Sequence, residues 1–197
     1  MLCRAPLTAF VERDAERARL RQLVDDTLVG RGRLALVAGE AGVGKSRLVA
    51  EIADEAQARG MRVLTGHCAE MSGTRRTCPT VEIIEQAISS PRSSVALREA
   101  LGDVAPEIAR IAPALRRAFP EIPPPVELPA ELARRYVWNS FGEFVGRAAQ
   151  RQPLLLVLED LHWAGESTAA AHGVPGAAYC PRCRYWCSAP IGTSKWI

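Results

Sequence analysis

Between Arg13 and Val29 the apolar residues Leu20, Leu23, Val24 and Leu28 recur at helical spacing, and Gly30 follows as a stop. The spacing predicts a first helix. The short run RLALVA, residues 33–38 between Gly32 and Gly39, predicts a strand buried in a parallel sheet. From Lys45 to Arg59, Leu48, Ile52 and Ala56 form one stripe with Val49 and Ala53 beside it, and Gly60 closes the segment. A second helix is expected there, packed on the strand. MRVLTG, residues 61–66, reads as another strand, so strand, glycine turn, helix and strand follow in the order of a βαβ unit.

Residues 67–79 are polar and predict a loop. Weaker helical patterns occupy 80–89 and 94–118 and are interrupted by Pro91, Pro106 and Pro113. PEIPPPVELP, residues 120–129, holds five prolines and predicts an extended linker. Leu132, Tyr136, Val137, Phe141, Phe144, Val145 and Ala148 then define the best amphipathic helix of the chain, between Pro129 and Pro153. PLLLVLEDLHWA follows, and its five consecutive apolar residues ahead of two acids predict a strand covered on both faces with carboxylates at its C-terminal end. No internal repeat is visible.

With 197 residues, 48% hydrophobic and 24% charged, the chain suits one domain with a real core. Its net charge of +3 comes from 25 basic and 22 acidic residues with no run of five like charges, which gives nucleic-acid binding no support. No stretch is apolar enough for a signal peptide or a membrane span, so a cytoplasmic protein without membrane contact is expected. Three of the six cysteines, Cys180, Cys183 and Cys187, crowd the C-terminus; the others are Cys3, Cys68 and Cys78. In a reducing compartment such thiols are bland or buried.

Gly39-x-x-x-x-Gly44-Lys45-Ser46 sits between the predicted strand and helix, in the phosphate-loop pattern. Its glycines let successive backbone N–H groups turn inward around a polyphosphate, and the helix that follows turns its positive end to the same place. Gly39, Glu40, Ala41, Gly42, Val43, Gly44, Lys45, Ser46 and Arg47 are the candidate nucleotide-binding residues. Lys45 would bridge the β- and γ-phosphates, and Ser46 would coordinate magnesium. Of the 25 basic residues only Lys45 and Lys195 are lysine, so lysine at this position is informative. Short patterns match by chance, but here the required flanking strand and helix are both predicted. Glu159 and Asp160 supply the oxygen ligands and the water-orienting carboxylate that a magnesium-dependent site needs, and alternation along a strand gives the two acids different roles. His162 and Trp163 are read as a packed loop with no catalytic part.

Taken in order, FVERDAERARLRQL, VAGEAGVGKSRLVAEIA, VLTGHCAE and RQPLLLVLEDLHWAGEST resemble the nucleotide-binding domain of STAND-class ATPases, most of all those of large LuxR-type bacterial transcriptional regulators. The resemblance covers residues 10–170 and implies an α/β fold, a three-layer P-loop NTPase with a parallel sheet. It implies that ATP and Mg2+ are the cofactors, that Gly39–Ser46 is the Walker A loop, that Glu159 holds the magnesium shell, and that Lys45 and the water-activating Asp160 are catalytic. The stretch around Val11 and Arg13 resembles an element near the adenine, with Glu12 where the family usually has glycine. Such domains act as slow switches between nucleotide states.

After WAGEST the resemblance ends, and Gly165 stands where family members commonly have aspartate. Residues 1–171 are read as a partial ATPase domain and 172–197 as an atypical tail, disordered or translated out of frame, because periodicity vanishes while cysteine, tryptophan and proline rise. A zinc site from Cys180, Cys183, Cys187 and His172 lacks the usual ligand spacing. The family's strand order is 5-1-4-3-2, so the fold is expected to be incomplete: later strands and lid are missing, and the Walker A and Walker B strands keep buried unpaired edges unless another chain or the tail covers them. Hydrolysis is then weak or absent. Two other readings stay open: a truncated product without stable ATP binding, and a small P-loop kinase or GTPase, although no guanine-reading N-K-x-D motif occurs. Self-association or further C-terminal domains are the remaining partners, and with no helix-turn-helix pattern after residue 163, direct DNA binding is not expected.

Overall fold

The computed structural model describes residues 13–40, 42–67, 79–89, 94–159 and, as backbone, 185–190. Four strands, β1 (Ala35–Gly39), β2 (Arg62–His67), β3 (Leu154–Glu159) and β4 (Tyr185–Pro190), form a wholly parallel sheet in the order β1-β4-β3-β2. Seven α-helices accompany them among the described residues: α1 (Asp14–Leu28), α2 (Lys45–Ala58), α3 (Pro79–Ser89), α4 (Ser94–Leu101), α5 (Ala105–Ile111), α6 (Ala114–Ala118) and α7 (Ala130–Arg151).

All six residues of β3 are buried. Its side chains alternate between two cores: Leu154, Leu156 and Leu158 join one with α3 to α7, and Leu155 and Val157 join the other with α1 and α2. The run LLLVL lacks polar alternation for that reason, since a strand covered on both faces has no solvent side to mark. In the second core Leu48, Val49, Ile52, Ala53 and Ala56 of α2 pack with Leu20 and Val24 of α1, as the helical stripes predict. Arg21–Glu55 at 2.7 Å and Arg59–Asp25 at 2.6 Å link the two helices at the surface. Exposed pairs of this kind add little stability.

β1 departs from the expectation of a buried strand. It is an edge of the sheet, and Leu36 is 58% exposed. Half-buried and exposed residues alternate along it, because α2 covers only one of its faces among the described residues.

The 94–118 pattern resolves into α4, a 3-10 turn over Gly102–Val104, α5 and α6. Pro106 lies in the first turn of α5 and Pro113 is the N-cap of α6, positions where a missing N–H leaves no helical bond unmade. The proline-rich linker has no regular structure between Glu121 and Pro129, and the Arg110 guanidinium ties it to α5 by donating to the Val126 carbonyl at 2.6 Å. Along α7, Val137, Phe141, Phe144 and Val145 are buried, but Leu132 and Tyr136 are each 53% exposed. At about 100° per residue those two fall well away from the Val137–Phe144 stripe, and Ala133 takes the inward position instead.

β4 occupies the place between β1 and β3 that was expected to lack a strand. Leu36 and Leu158 both pair with Cys187, and Val37 pairs with Ser188. The segment carries no periodic signal of its own, so its pairing was not legible in the sequence. The remainder of 172–197 lies outside the described residues.

Candidate functional site

In a parallel sheet all C-terminal strand ends open on one edge. The loop after β1 and Glu159 at the end of β3 therefore share that edge, with β4 between their strands. Two strand spacings, about 9–10 Å, separate them.

The loop is shaped by glycine. Gly42 and Gly44 have φ of +81° and +85°, backbone that L side chains avoid, and Gly44 is the N-cap from which α2 starts at Lys45. The Lys45 ammonium donates to the carbonyls of Gly39 at 2.9 Å and Glu40 at 2.8 Å, so it is held inside the curve of its own loop. Val43 in the loop and Ser46 in the first turn of α2 are exposed. Arg47 forms an ion pair with Glu51 one turn on, at 3.4 Å. The first turn of α2 carries no acid, whereas α1, α3, α5 and α7 all have at least one there. No acid of its own first turn offsets the positive end of the helix, which suits an anion. Ala41, Asp160, His162 and Trp163 lie outside the described residues, as do Val11 and Glu12.

Glu159 is only 9% exposed. Its carboxylate lies 3.3 Å from Nε2 of His67, the residue opposite it in the β2–β3 register. Nδ1 of the same ring is 3.0 Å from Glu82 of α3, and the His67 backbone N–H donates to that carboxylate at 2.9 Å. His67 thus bridges the acid of β3 to α3. By sequence alone His67 heads a polar loop, with no direct sign of this role. The available signal was positional: His67 and Glu159 are each the first ionisable residue after the apolar stretch of a parallel strand.

Gly66 makes the approach of α3 possible, since a Cβ there would lie 2.3 Å from the Pro79 carbonyl oxygen. Gln86, one turn beyond Glu82, accepts from the Thr65 backbone N–H at 3.0 Å and donates to its carbonyl. Four residues of helix rise about 6 Å and two of strand about 6.6 Å. Glu82 and Gln86 consequently match His67 and Thr65, and α3 satisfies the outer edge of β2.

Among the described residues no group of three or more His, Cys, Asp or Glu side chains forms a metal cluster. A magnesium ion held with a phosphate needs fewer protein ligands, and a hydroxyl at Ser46 with a carboxylate at Glu159 is a donor set of that kind. Among the described residues no helix is long and apolar enough to cross a membrane.

The family model described as AAA ATPase domain matches residues 9–173. The chain is also 25% identical over 171 residues to an uncharacterized protein of Rhizobium meliloti (strain 1021), an alignment covering 78% of this chain and 16% of that protein. It thus spans about a sixth of that relative's length. With a family match across most of its length, a parallel sheet and a glycine loop leading into α2, the chain belongs to the AAA ATPase domain family.

Proposed function

We propose that the chain is a regulatory ATPase domain of the STAND class, a nucleotide-dependent switch that binds Mg-ATP at residues 39–47. The observation that carries this reading is the loop itself: left-handed Gly42 and Gly44, an acid-free first turn of α2, and a lysine ammonium held by carbonyls that a phosphate would replace. Lys45 would exchange the Gly39 and Glu40 carbonyls for the β- and γ-phosphate oxygens. Ser46 and Glu159 would fill the magnesium shell, and Asp160 would orient the attacking water. Bound Mg-ATP supplies a phosphoanhydride whose cleavage changes the charge in the loop. Helices facing both sides of β3 support the three-layer form of the fold. The resemblance to LuxR-type regulators supports a signalling output, with slow turnover because the output is a state.

Thermal and chemical denaturation with and without Mg-ATP test the reading. Ligand at 100 times its dissociation constant stabilises by about 2.7 kcal/mol. We expect a shift of that order that needs magnesium and vanishes in Lys45→Ala. No shift at millimolar ATP in a folded sample overturns the proposal, and a larger shift with GTP moves the chain to another nucleotide class.

A further inference from the structure

At the opposite, N-terminal edge of the sheet, a cleft of about 80 Å³ opens between β2, α3, α4 and α7. Its walls are apolar and well packed: Leu64, Leu97, Ala100, Phe144 and Leu154 are each no more than 6% exposed. One charged group reaches into its lining without a counter-ion. Arg62, the first residue of β2, donates to the Ala87 carbonyl at 3.3 Å, and among the described residues no carboxylate lies within ion-pair distance of it. Arg151, at the same cleft, is already paired with Glu99. Burial holds the Arg62 guanidinium below its usual pKa, and the partner it has there is the neutral Ala87 carbonyl. A guanidinium stays charged in proteins, so this is a half-buried cation whose charge no counter-ion among the described residues balances.

We propose that this cleft binds a small monocarboxylate, its carboxylate on Arg62 and its short apolar tail against Leu64, Leu97, Ala100, Phe144 and Leu154. A guanidinium presents a planar fork that matches a carboxylate with two parallel hydrogen bonds. The small volume limits the acid to a short-chain one, with a tail no longer than a few carbons. The apolar walls disfavour inorganic phosphate, which has no group to place against them and loses more hydration on entry. The position also separates this ligand from the nucleotide. Leu154 and Glu159 mark the two ends of β3, about 16 Å apart, so the two ligands do not compete.

Saturation-transfer NMR on the full chain at constant ionic strength, with isobutyrate as the probe, tests the proposal. Isobutyrate is expected to bind saturably in the millimolar range, while isobutylammonium, isobutanol and inorganic phosphate do not. Arg62→Gln is expected to weaken binding by at least about tenfold, Arg62→Lys by less, because a charge-assisted hydrogen bond is lost in the first and kept in part in the second. Ala100→Leu fills the cleft by an independent route and is expected to abolish binding. Arg62→Gln removes an unpaired half-buried charge and should melt no lower than the parent, which keeps it usable. Lys45→Ala should bind isobutyrate unchanged, so failure of the nucleotide reading leaves this test standing. The proposal is overturned by the absence of saturable binding, by equal binding of the alcohol, the amine or phosphate, or by undiminished binding in both Arg62→Gln and Ala100→Leu.

Discussion

Lys45 gives up little by leaving its present partners. Its two hydrogen bonds run to carbonyls at an accessible loop, so Lys45→Ala without nucleotide should cost less than about 1 kcal/mol in urea unfolding, while the Mg-ATP increment disappears. Gly66 is the opposite case. No rotamer can relieve a Cβ placed 2.3 Å from the Pro79 carbonyl oxygen, and Gly66→Ala should destabilise the fold by about 1–3 kcal/mol. Gly142, in the middle of α7, has nothing within 4 Å of its would-be Cβ, so Gly142→Ala should be neutral or stabilising by up to about 1 kcal/mol and serves as the control. At Asp26 the hydrogen bond from Arg33, then that from Arg31, holds the carboxyl below the usual carboxylate range. Its folded pKa is thus lower than its unfolded value of about 3.9, so its contribution is present above that pH and is lost as pH falls through the lowered value. Urea midpoints on either side of about pH 4 should show a smaller acid-side loss for Asp26→Asn than for the parent, and the difference should shrink in high salt.

Periodicity revealed the elements that bury a continuous stripe, and revealed less where one element is satisfied by the side chains of another. α1, α2, β2, β3 and α7 all lie within a residue or two of where the apolar pattern puts them, because each buries its apolar residues in one or both of the two cores. The exposed Leu132 and Tyr136 show the limit of that reading, which registers apolar character but not the angle at which it falls. The fit of α3 to β2 was not legible at all. Gln86 is polar in a helix and carries no signal until the strand is placed beside it, where it supplies the donor and acceptor that a neighbouring strand would otherwise provide. Gln86→Ala should therefore cost about 0.5–1.5 kcal/mol, more than an exposed helical glutamine without backbone partners is worth. Amide hydrogen exchange offers the sharper measurement: Thr65 should lose protection in the variant, and Leu156, paired on the inner side of β2 and β3, should keep it.

The sheet as a whole depends on a strand that has no sequence signature. The phosphate-loop strand and the strand of Glu159 do not touch each other in the described fold; each pairs with β4, so their relative position is set through Tyr185–Pro190. β3 also needs β4 for its backbone groups, since it is covered on both faces and water cannot replace a missing ladder there. Cys187→Pro tests this arrangement without relying on any side-chain contact. Proline removes the N–H at a residue that pairs with Leu36 on one side and Leu158 on the other, and its ring cannot sit in a central strand. Each orphaned buried group should cost about 1–3 kcal/mol, a large part of a marginal domain's stability. The expected result is a lower urea midpoint together with faster amide exchange at Leu156, Val157 and Leu158, and a weaker response to Mg-ATP because the loop and Glu159 are no longer held in register. Unchanged exchange in β1 and β3 would mean that Tyr185–Pro190 does not join them, and that the acid and the loop are brought together by some other part of the chain.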